Sequence, residues 1–130
     1  MYSRISKKQY YLEIAKAVAQ RSTCLKRQYG AVIVSANDEI IATGYNGAPR
    51  GYSNCTDNGF CPRMNVAHNT GDYGTCSSVH AEQNAMLSAA RRDMIGGTLY
   101  LVGRDKGNWF AAEPCPIKNI VTIEEGLYSC

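Results

Sequence analysis

Three residues of the sequence have the types and spacing of a metal-assisted hydrolytic site. His80 and Glu82 lie in the segment "HAEQNAM", and Cys115 lies further along in "EPCPI". Imidazole nitrogen and thiolate sulfur are common ligands of Zn²⁺ in proteins. A carboxylate beside a zinc-bound water can take up the proton of that water and return it as a general acid. The combination predicts a zinc ion that activates water for attack.

Both segments are expected to begin helices. Residues 80–92 are alanine-rich, and Pro114 suits the first turn of a helix that ends near Gly126. A helix N-terminus presents unpaired N–H groups and favours a thiolate at a cysteine placed there. Glu82 lies about 200° around a regular helix from His80. We therefore expect Glu82 to face the metal-bound water without binding the metal.

The second segment departs from a known pattern. The signature H-x-E…P-C-x-x-C is typical of zinc-dependent nucleobase deaminases, but Lys118 stands here at the place of the second cysteine. We therefore expect a third zinc ligand next to Lys118, although the written sequence does not show it. Three explanations stay open. The written sequence omits a residue such as a modified cysteine, or zinc keeps His80 and Cys115 with a water or another ligand, or the site is inactive.

The elements around these residues alternate between helices and strands. Apolar residues at helical spacing predict a helix over Lys7–Arg21. The β-branched runs 31–35 and 39–44 predict a hairpin, and 97–102 predicts another strand. This order predicts one α/β domain over residues 1–130, with helices packed on a mixed sheet. Because the chain stops where a further strand should begin, we expect the domain to be C-terminally incomplete.

The sequence resembles the deoxycytidylate (dCMP) deaminases of the cytidine deaminase-like superfamily. The resemblance rests on "GAVIV", "IIATGYNGAPRG", "HAEQNAM", "GTLYLV" and "PCPI", which follow in this order between Ser22 and Gly126. It implies a three-layer α/β/α sandwich with a mixed central sheet. It also implies that a zinc-bound hydroxide attacks C4 of cytosine while Glu82 moves the proton.

The same resemblance implies a biological role. Members of the family hydrolyse free dCMP to dUMP in pyrimidine nucleotide metabolism. Many assemble as homohexamers and are allosteric enzymes, activated by dCTP with Mg²⁺ and inhibited by dTTP. We state these properties as expectations for this chain.

Candidate substrate-binding residues lie in and around the "GYNGAPRG" segment. The resemblance implies that Asn46 contacts the nucleotide and that Ala81 belongs to the same site. Arg50, Lys26 and Arg27 are basic residues that could meet the 5′-phosphate, a group that arginine binds well. The open alternatives are a plain turn residue for Asn46 and solvated surface side chains for the basic residues.

Two aromatic residues precede the second segment of the predicted zinc site. Trp109 and Phe110 stand shortly before "AAEPC". They either form a wall of the substrate pocket or pack in the core, and the sequence leaves both interpretations open.

A second group of possible metal ligands occupies the irregular stretch 45–79 and the segment before it. A closed four-ligand zinc site would brace this stretch, which is otherwise long for a loop inside a compact domain. Small buried apolar side chains and disulfides are the alternatives. The candidates for this second, structural metal are Cys24, Cys55, Cys61, His68 and Cys76.

Composition narrows the classes of function. The net charge of +3 is compatible with a phosphorylated small substrate and too small to indicate duplex nucleic acid. The N-terminus lacks an apolar signal segment, so we expect a cytoplasmic protein without membrane contact, in which six cysteines favour thiolate chemistry over disulfides. Two rival hypotheses remain. One is a deaminase of polynucleotide bases (tRNA adenosine or single-stranded DNA cytosine), and the other is a catalytically inactive zinc scaffold.

Overall fold

The computed structural model describes residues 3–48, 54–59 and 80–117, without the side chains of Cys55 and Asn58. The elements in these ranges are α1 (Lys7–Ala19), β1 (Arg27–Val34), β2 (Ile40–Tyr45), α2 (Cys55–Asn58), α3 (Ala81–Leu87), α4 (Arg91–Met94), β3 (Thr98–Asp105), β4 (Asn108–Ala111) and β5 (Cys115–Pro116).

The strands form one sheet with β1 and β3 at its centre. The order is β2-β1-β3-β4, and β5 also pairs with β3. β1 covers one edge of β3 along its whole length, so β4 and β5 share the other edge. All of these pairs are antiparallel in the described ranges. This part of the chain therefore supplies no parallel pair for the predicted mixed sheet.

Each face of the sheet carries its own apolar core. Because side chains alternate along a strand, Val32 and Val34 of β1 pack under α1, whereas Ala31 and Ile33 pack under α3. We call these the α1 face and the α3 face. Helices on both faces make the three layers that the resemblance implies.

Two glycines let the helices approach the strands closely. A Cβ on Gly30 would collide with the backbone of α1 at Ala15 and Ala19, and a Cβ on Gly44 would collide with the backbone of α3 at Ala81 and Ala85. Small residues on both partners thus bring each helix axis near the sheet. The contact at Gly44 is the more important one for the candidate site, because it holds α3, and with it His80 and Glu82, close to the sheet.

The first half of the predicted elements is confirmed with small changes at the ends. α1 begins after Ser6, whose hydroxyl accepts a hydrogen bond from the backbone N–H of Gln9 at 3.1 Å, and it ends at Ala19 rather than Arg21. Such a cap satisfies one of the N–H groups left unpaired at a helix start. The predicted hairpin is present, with β1 starting earlier, at Arg27.

In the second half of the chain the structure differs more from the predicted elements. The single helix predicted over 80–92 is broken into α3 and α4 after Leu87, and the strand predicted over 97–102 runs on to Asp105 and turns back as β4. The helix predicted to open at Pro114 is wrong at its start, because Cys115 and Pro116 form β5. A proline disfavours helical geometry at the residue before it, and Pro116 therefore keeps Cys115 extended. Residues after 117 lie outside the described ranges.

Candidate active site

The start of α3 brings His80 and Glu82 together. His80 is the N-cap residue and has extended backbone angles, and its N–H donates to the side chain of Gln83 at 3.1 Å. Nδ1 of His80 lies 3.7 Å from Oε1 of Glu82. The imidazole is 57% exposed, whereas the carboxylate side chain is only 7% exposed. The exposed ring can reach a metal while the carboxylate stays beneath it.

Glu82 has an unusual environment for a carboxylate. Burial raises its pKa above the usual glutamate range, against the opposing effects of the nearby His80 and of a backbone hydrogen bond. A carboxyl group with a raised pKa accepts and releases protons closer to neutral pH than an exposed one does. Glu82 therefore suits the proton-transfer role that the sequence predicts.

Cys115 lies on the same face of the sheet as the start of α3. It is 5% exposed, stands opposite Leu99 in β5, and packs in one apolar cluster with Ala81 and Ala85. Ala81 is the residue between His80 and Glu82, so the cluster joins both halves of the predicted site. The structure places Cys115 in a strand rather than at a helix N-terminus, and the thiolate-favouring dipole argument therefore does not apply to it.

The donor chemistry fits zinc but is incomplete in the described ranges. One imidazole and one sulfur are ordinary zinc ligands, yet the described residues contain no group of three His, Cys, Asp or Glu that could hold a metal. Cys115 is disulfide-bonded, and its partner is not among the described side chains. Only a thiolate binds zinc, so metal loading at this position requires the reduced chain.

Asn46, the predicted nucleotide contact, is already engaged by the protein. Its Nδ2 donates to the carbonyl of Arg27 at 2.9 Å, and its Oδ1 accepts from the N–H of Tyr29 at 2.8 Å. The hydroxyl of Ser22 lies 2.6 Å from the same Oδ1. The side chain therefore ties the end of β2 to the beginning of β1. Its role toward a substrate stays a prediction.

The remaining predicted residues divide into two groups. Lys26 and Cys24 are half-buried before β1, and the N–H of Thr56 in α2 donates to the carbonyl of Thr23 at 3.3 Å. This bond puts the segment of Cys55 beside that of Cys24, as a shared structural metal would require. The predicted residues that lie outside the described ranges are Arg50, Cys61, His68, Cys76 and Lys118.

The sequence analysis did not single out Tyr29 as a residue near the candidate active site. Burial is the main cause that raises the pKa of Tyr29, and the charge of Glu82 also contributes. Tyr29 precedes Ala31 by two residues on β1 and therefore shares the α3 face. The strand period could have placed it there, had β1 been predicted to begin before Ala31.

Residues 5–125 match the family profile described as "Cytidine and deoxycytidylate deaminase zinc-binding region". The chain belongs to this family. The α/β fold agrees with that assignment, and the resemblance seen in the sequence is confirmed.

Relatives in the cytidine and deoxycytidylate deaminase family include proteins from fungi and phages. A deoxycytidylate deaminase of Schizosaccharomyces pombe is 49% identical over 71% of this chain and 28% of its own length. The Saccharomyces cerevisiae protein of that name is 46% identical over 92% of this chain and 36% of its own. One from Mycobacterium phage D29 is 43% identical over 72% of this chain and 74% of its own. This chain thus spans about a third of the two yeast proteins.

Solved structures of the family have the same fold. The apo dCMP deaminase of cyanophage S-TIM5 aligns with a TM-score of 0.55 and 27% identity over 76% of this chain and 67% of its own. The same enzyme in complex with dCMP and dUMP aligns with a TM-score of 0.54 and 26% identity, over 77% of this chain and 67% of its own. Among the described residues, none of the helices has the length and apolar character needed to cross a membrane.

Proposed function

We propose that the chain is a zinc-dependent hydrolase that deaminates dCMP to dUMP. The observation that carries the proposal is the buried carboxylate of Glu82, 3.7 Å from the imidazole of His80 at the start of α3. The names of the relatives and the dCMP and dUMP complex of the cyanophage enzyme support this choice of substrate.

The reaction replaces the amino group on C4 of the cytosine ring with oxygen from water. His80 and Cys115 would hold the zinc, with a third ligand next to Lys118. When bound, zinc acts as a Lewis acid that lowers the pKa of water. Glu82 takes one proton of the attacking water and delivers it to N3 of the base. After the oxygen has added to C4, Glu82 takes the second proton from that hydroxyl and passes it to the departing amine, so that ammonia leaves. Its burial keeps competing solvent away from this transfer.

The wider predictions of the sequence belong to the same proposal. Asn46 and Ala81 would line the nucleotide site, and Lys26 and Arg50 would meet the phosphate. Cys24 and Cys55, with two of Cys61, His68 and Cys76, would hold a second, structural zinc. Assembly as a homohexamer, regulation by dCTP with Mg²⁺ and by dTTP, and a cytoplasmic location are further parts of the proposal.

The direct test is release of ammonia from dCMP by the reduced, zinc-loaded chain. Cytidine and a single-stranded oligonucleotide serve as controls. We expect turnover of dCMP and much slower reaction of both controls. Faster reaction of the oligonucleotide would favour the polynucleotide deaminase, and no reaction with any substrate would refute the proposal.

A second candidate function is a catalytically inactive zinc scaffold. Lys118 at the place of the second cysteine of the signature favours it. Metal analysis combined with the ammonia assay separates the two functions: a scaffold binds zinc with no turnover of dCMP. An intact mass of the chain shows in addition whether the written sequence omits a residue next to Lys118.

A further inference from the structure

The hairpin of β3 and β4 extends the α3 face beyond the residues that carry the chemistry. Lys106 and Gly107 form its two-residue turn, both with positive φ, at 51° and 83°. Such turns match the twist of the strands they join and set the register of the hairpin. The register pairs Gly103 of β3 with Phe110 of β4.

Gly103 allows an aromatic pair to form across three strands. It stands opposite Tyr29 of β1 on one side and Phe110 on the other. A Cβ at this position would collide with the ring of Phe110 and would lie 2.7 Å from the ring of Tyr29. Without it, the two rings meet edge to face, with centroids 5.8 Å apart and planes at 79°. Phe110 nevertheless remains 46% exposed.

This aromatic pair adjoins the candidate active site. Tyr29 and Leu101 pack against the cluster that contains Ala81 and Cys115. Along β3, Leu99 stands opposite Cys115 and Gly103 lies four residues further on, which is about 13 Å at the usual rise of a strand. That distance exceeds the width of a pyrimidine ring. In the proposed binding mode, with the base at Glu82, we therefore assign the sugar rather than the base to this pair.

We infer that Phe110, backed by Tyr29, is a specificity-determining residue that packs against the deoxyribose of the substrate. The inference rests on the proposed function. An apolar ring offers no hydrogen-bond partner to a ribose 2′-hydroxyl, and leaving a hydroxyl unpaired beside it is unfavourable. This wall, formed by Phe110 and Tyr29, therefore selects the deoxynucleotide over the ribonucleotide.

The test compares kcat and KM for dCMP and CMP in Phe110→Ala, Phe110→Leu and the unaltered chain. We expect Phe110→Ala to raise KM for dCMP about 10-fold and to reduce the preference for dCMP over CMP by a similar factor. Phe110→Leu keeps an apolar side chain, and we expect a smaller change. Thermal melting of each variant identifies any loss of folding, in which case Phe110→Leu decides.

Trp109→Leu is the matched control. Trp109 is the neighbouring aromatic residue of the same hairpin, but it lies on the α1 face. The charged ends of Lys16 and Arg104 lie 5.0 and 4.9 Å from the centre of its ring. We expect this variant to keep the KM values and the sugar preference of the unaltered chain. An equal change in Trp109→Leu and Phe110→Ala would overturn the inference, as would unchanged KM and sugar preference in Phe110→Ala.

A binding measurement keeps this test separate from the test of the proposed function. Calorimetric titration with dCMP and CMP requires no turnover. If the unaltered chain releases no ammonia, the proposed activity fails, and weaker dCMP binding by Phe110→Ala still supports the wall. An unchanged dCMP affinity overturns the inference, and so does a change confined to the oligomeric state in sedimentation.

Discussion

Asn46 and Glu82 are the two polar or charged residues that are buried in the described part of the chain, and they differ in what surrounds them. The amide of Asn46 is bonded through both of its polar atoms to backbone and side-chain groups. The carboxylate of Glu82 instead faces a largely exposed imidazole at 3.7 Å. Buried polar groups are normally satisfied within the frame of the protein, and a buried carboxylate with a raised pKa beside an exposed imidazole marks a candidate functional position. Asn46 therefore ties β1 to the end of β2, and we propose that Glu82 is the buried group that acts on a ligand.

The largest expected effect comes from the metal. Substituting His80→Ala or Cys115→Ser, or treating the reduced chain with a chelator, should abolish turnover of dCMP because the water-activating ion is lost. Zinc content and ammonia release measure both effects. Reductant should increase zinc loading of the unaltered chain, since a disulfide-bonded Cys115 cannot ligate. Full activity of the chelated protein would remove zinc from the mechanism.

The next largest effect concerns Glu82 itself. Glu82→Gln keeps the shape of the side chain and removes the proton carrier, so we expect kcat to fall by about 10²- to 10⁴-fold. Zinc content should not change. The control is Glu113→Gln, whose side chain is 88% exposed, and which should retain normal kcat. If Glu82→Gln deaminates dCMP at the normal rate, the role assigned to this carboxylate is wrong.

Substituting Asn46 should lower the stability of the protein, whereas substituting Glu82 should lower the reaction rate. Asn46→Ala leaves the N–H of Tyr29 and the carbonyl of Arg27 without their side-chain partners. We expect a loss of about 1–3 kcal/mol in the free energy of unfolding, measured by urea denaturation. A rise in KM of the folded variant would add a substrate role. Unaltered stability would contradict the role of Asn46 in tying β1 to the end of β2.

The smallest expected effect is on the pH dependence of stability, and it concerns Asp38, a carboxylate that is exposed where Glu82 is buried. Hydrogen bonds from Lys7 and Tyr11 lower the pKa of Asp38, and the bond to Asp38 helps raise the pKa of Tyr11 to about 12. The stabilisation that these bonds to Asp38 contribute is therefore complete above the pKa of an unfolded Asp, about 3.9. It decreases as pH falls through the lowered pKa of Asp38 in the folded protein. At the alkaline end it decreases as pH rises from about 10 through about 12.

Melting temperature against pH measures this effect. Asp38→Asn should flatten both limbs of the profile, because it removes the carboxylate that Lys7 and Tyr11 share. Asp93→Asn in α4, an exposed carboxylate, is the control and should leave the profile unchanged. Identical profiles for the two variants would show that the shared bonds do not contribute.

Residue identities alone predicted that His80 and Glu82 lie together, because the two residues are close in sequence, and the structure places them 3.7 Å apart. Their roles as zinc ligand and proton carrier stay predictions. Helical and strand periodicities likewise predicted α1 and the hairpin of β1 and β2. The break between α3 and α4 was not predicted, since alanine-rich residues favour helix on both sides of it. β5 was not predicted, because Pro114 is typical of a helix start, although Pro116 favours an extended Cys115.

Only the tertiary structure decided which distant residues share a face. The register of β3 against β1 and β4 depends on side chains far apart in the sequence, so no local pattern brings Tyr29 and Phe110 together over Gly103. The same holds for Asn46, whose partners lie before and within β1. The sequence by itself determined the family and the residues that are candidates for the chemistry. The strand pairing determined what surrounds that chemistry, because alternation and register are properties of the assembled sheet.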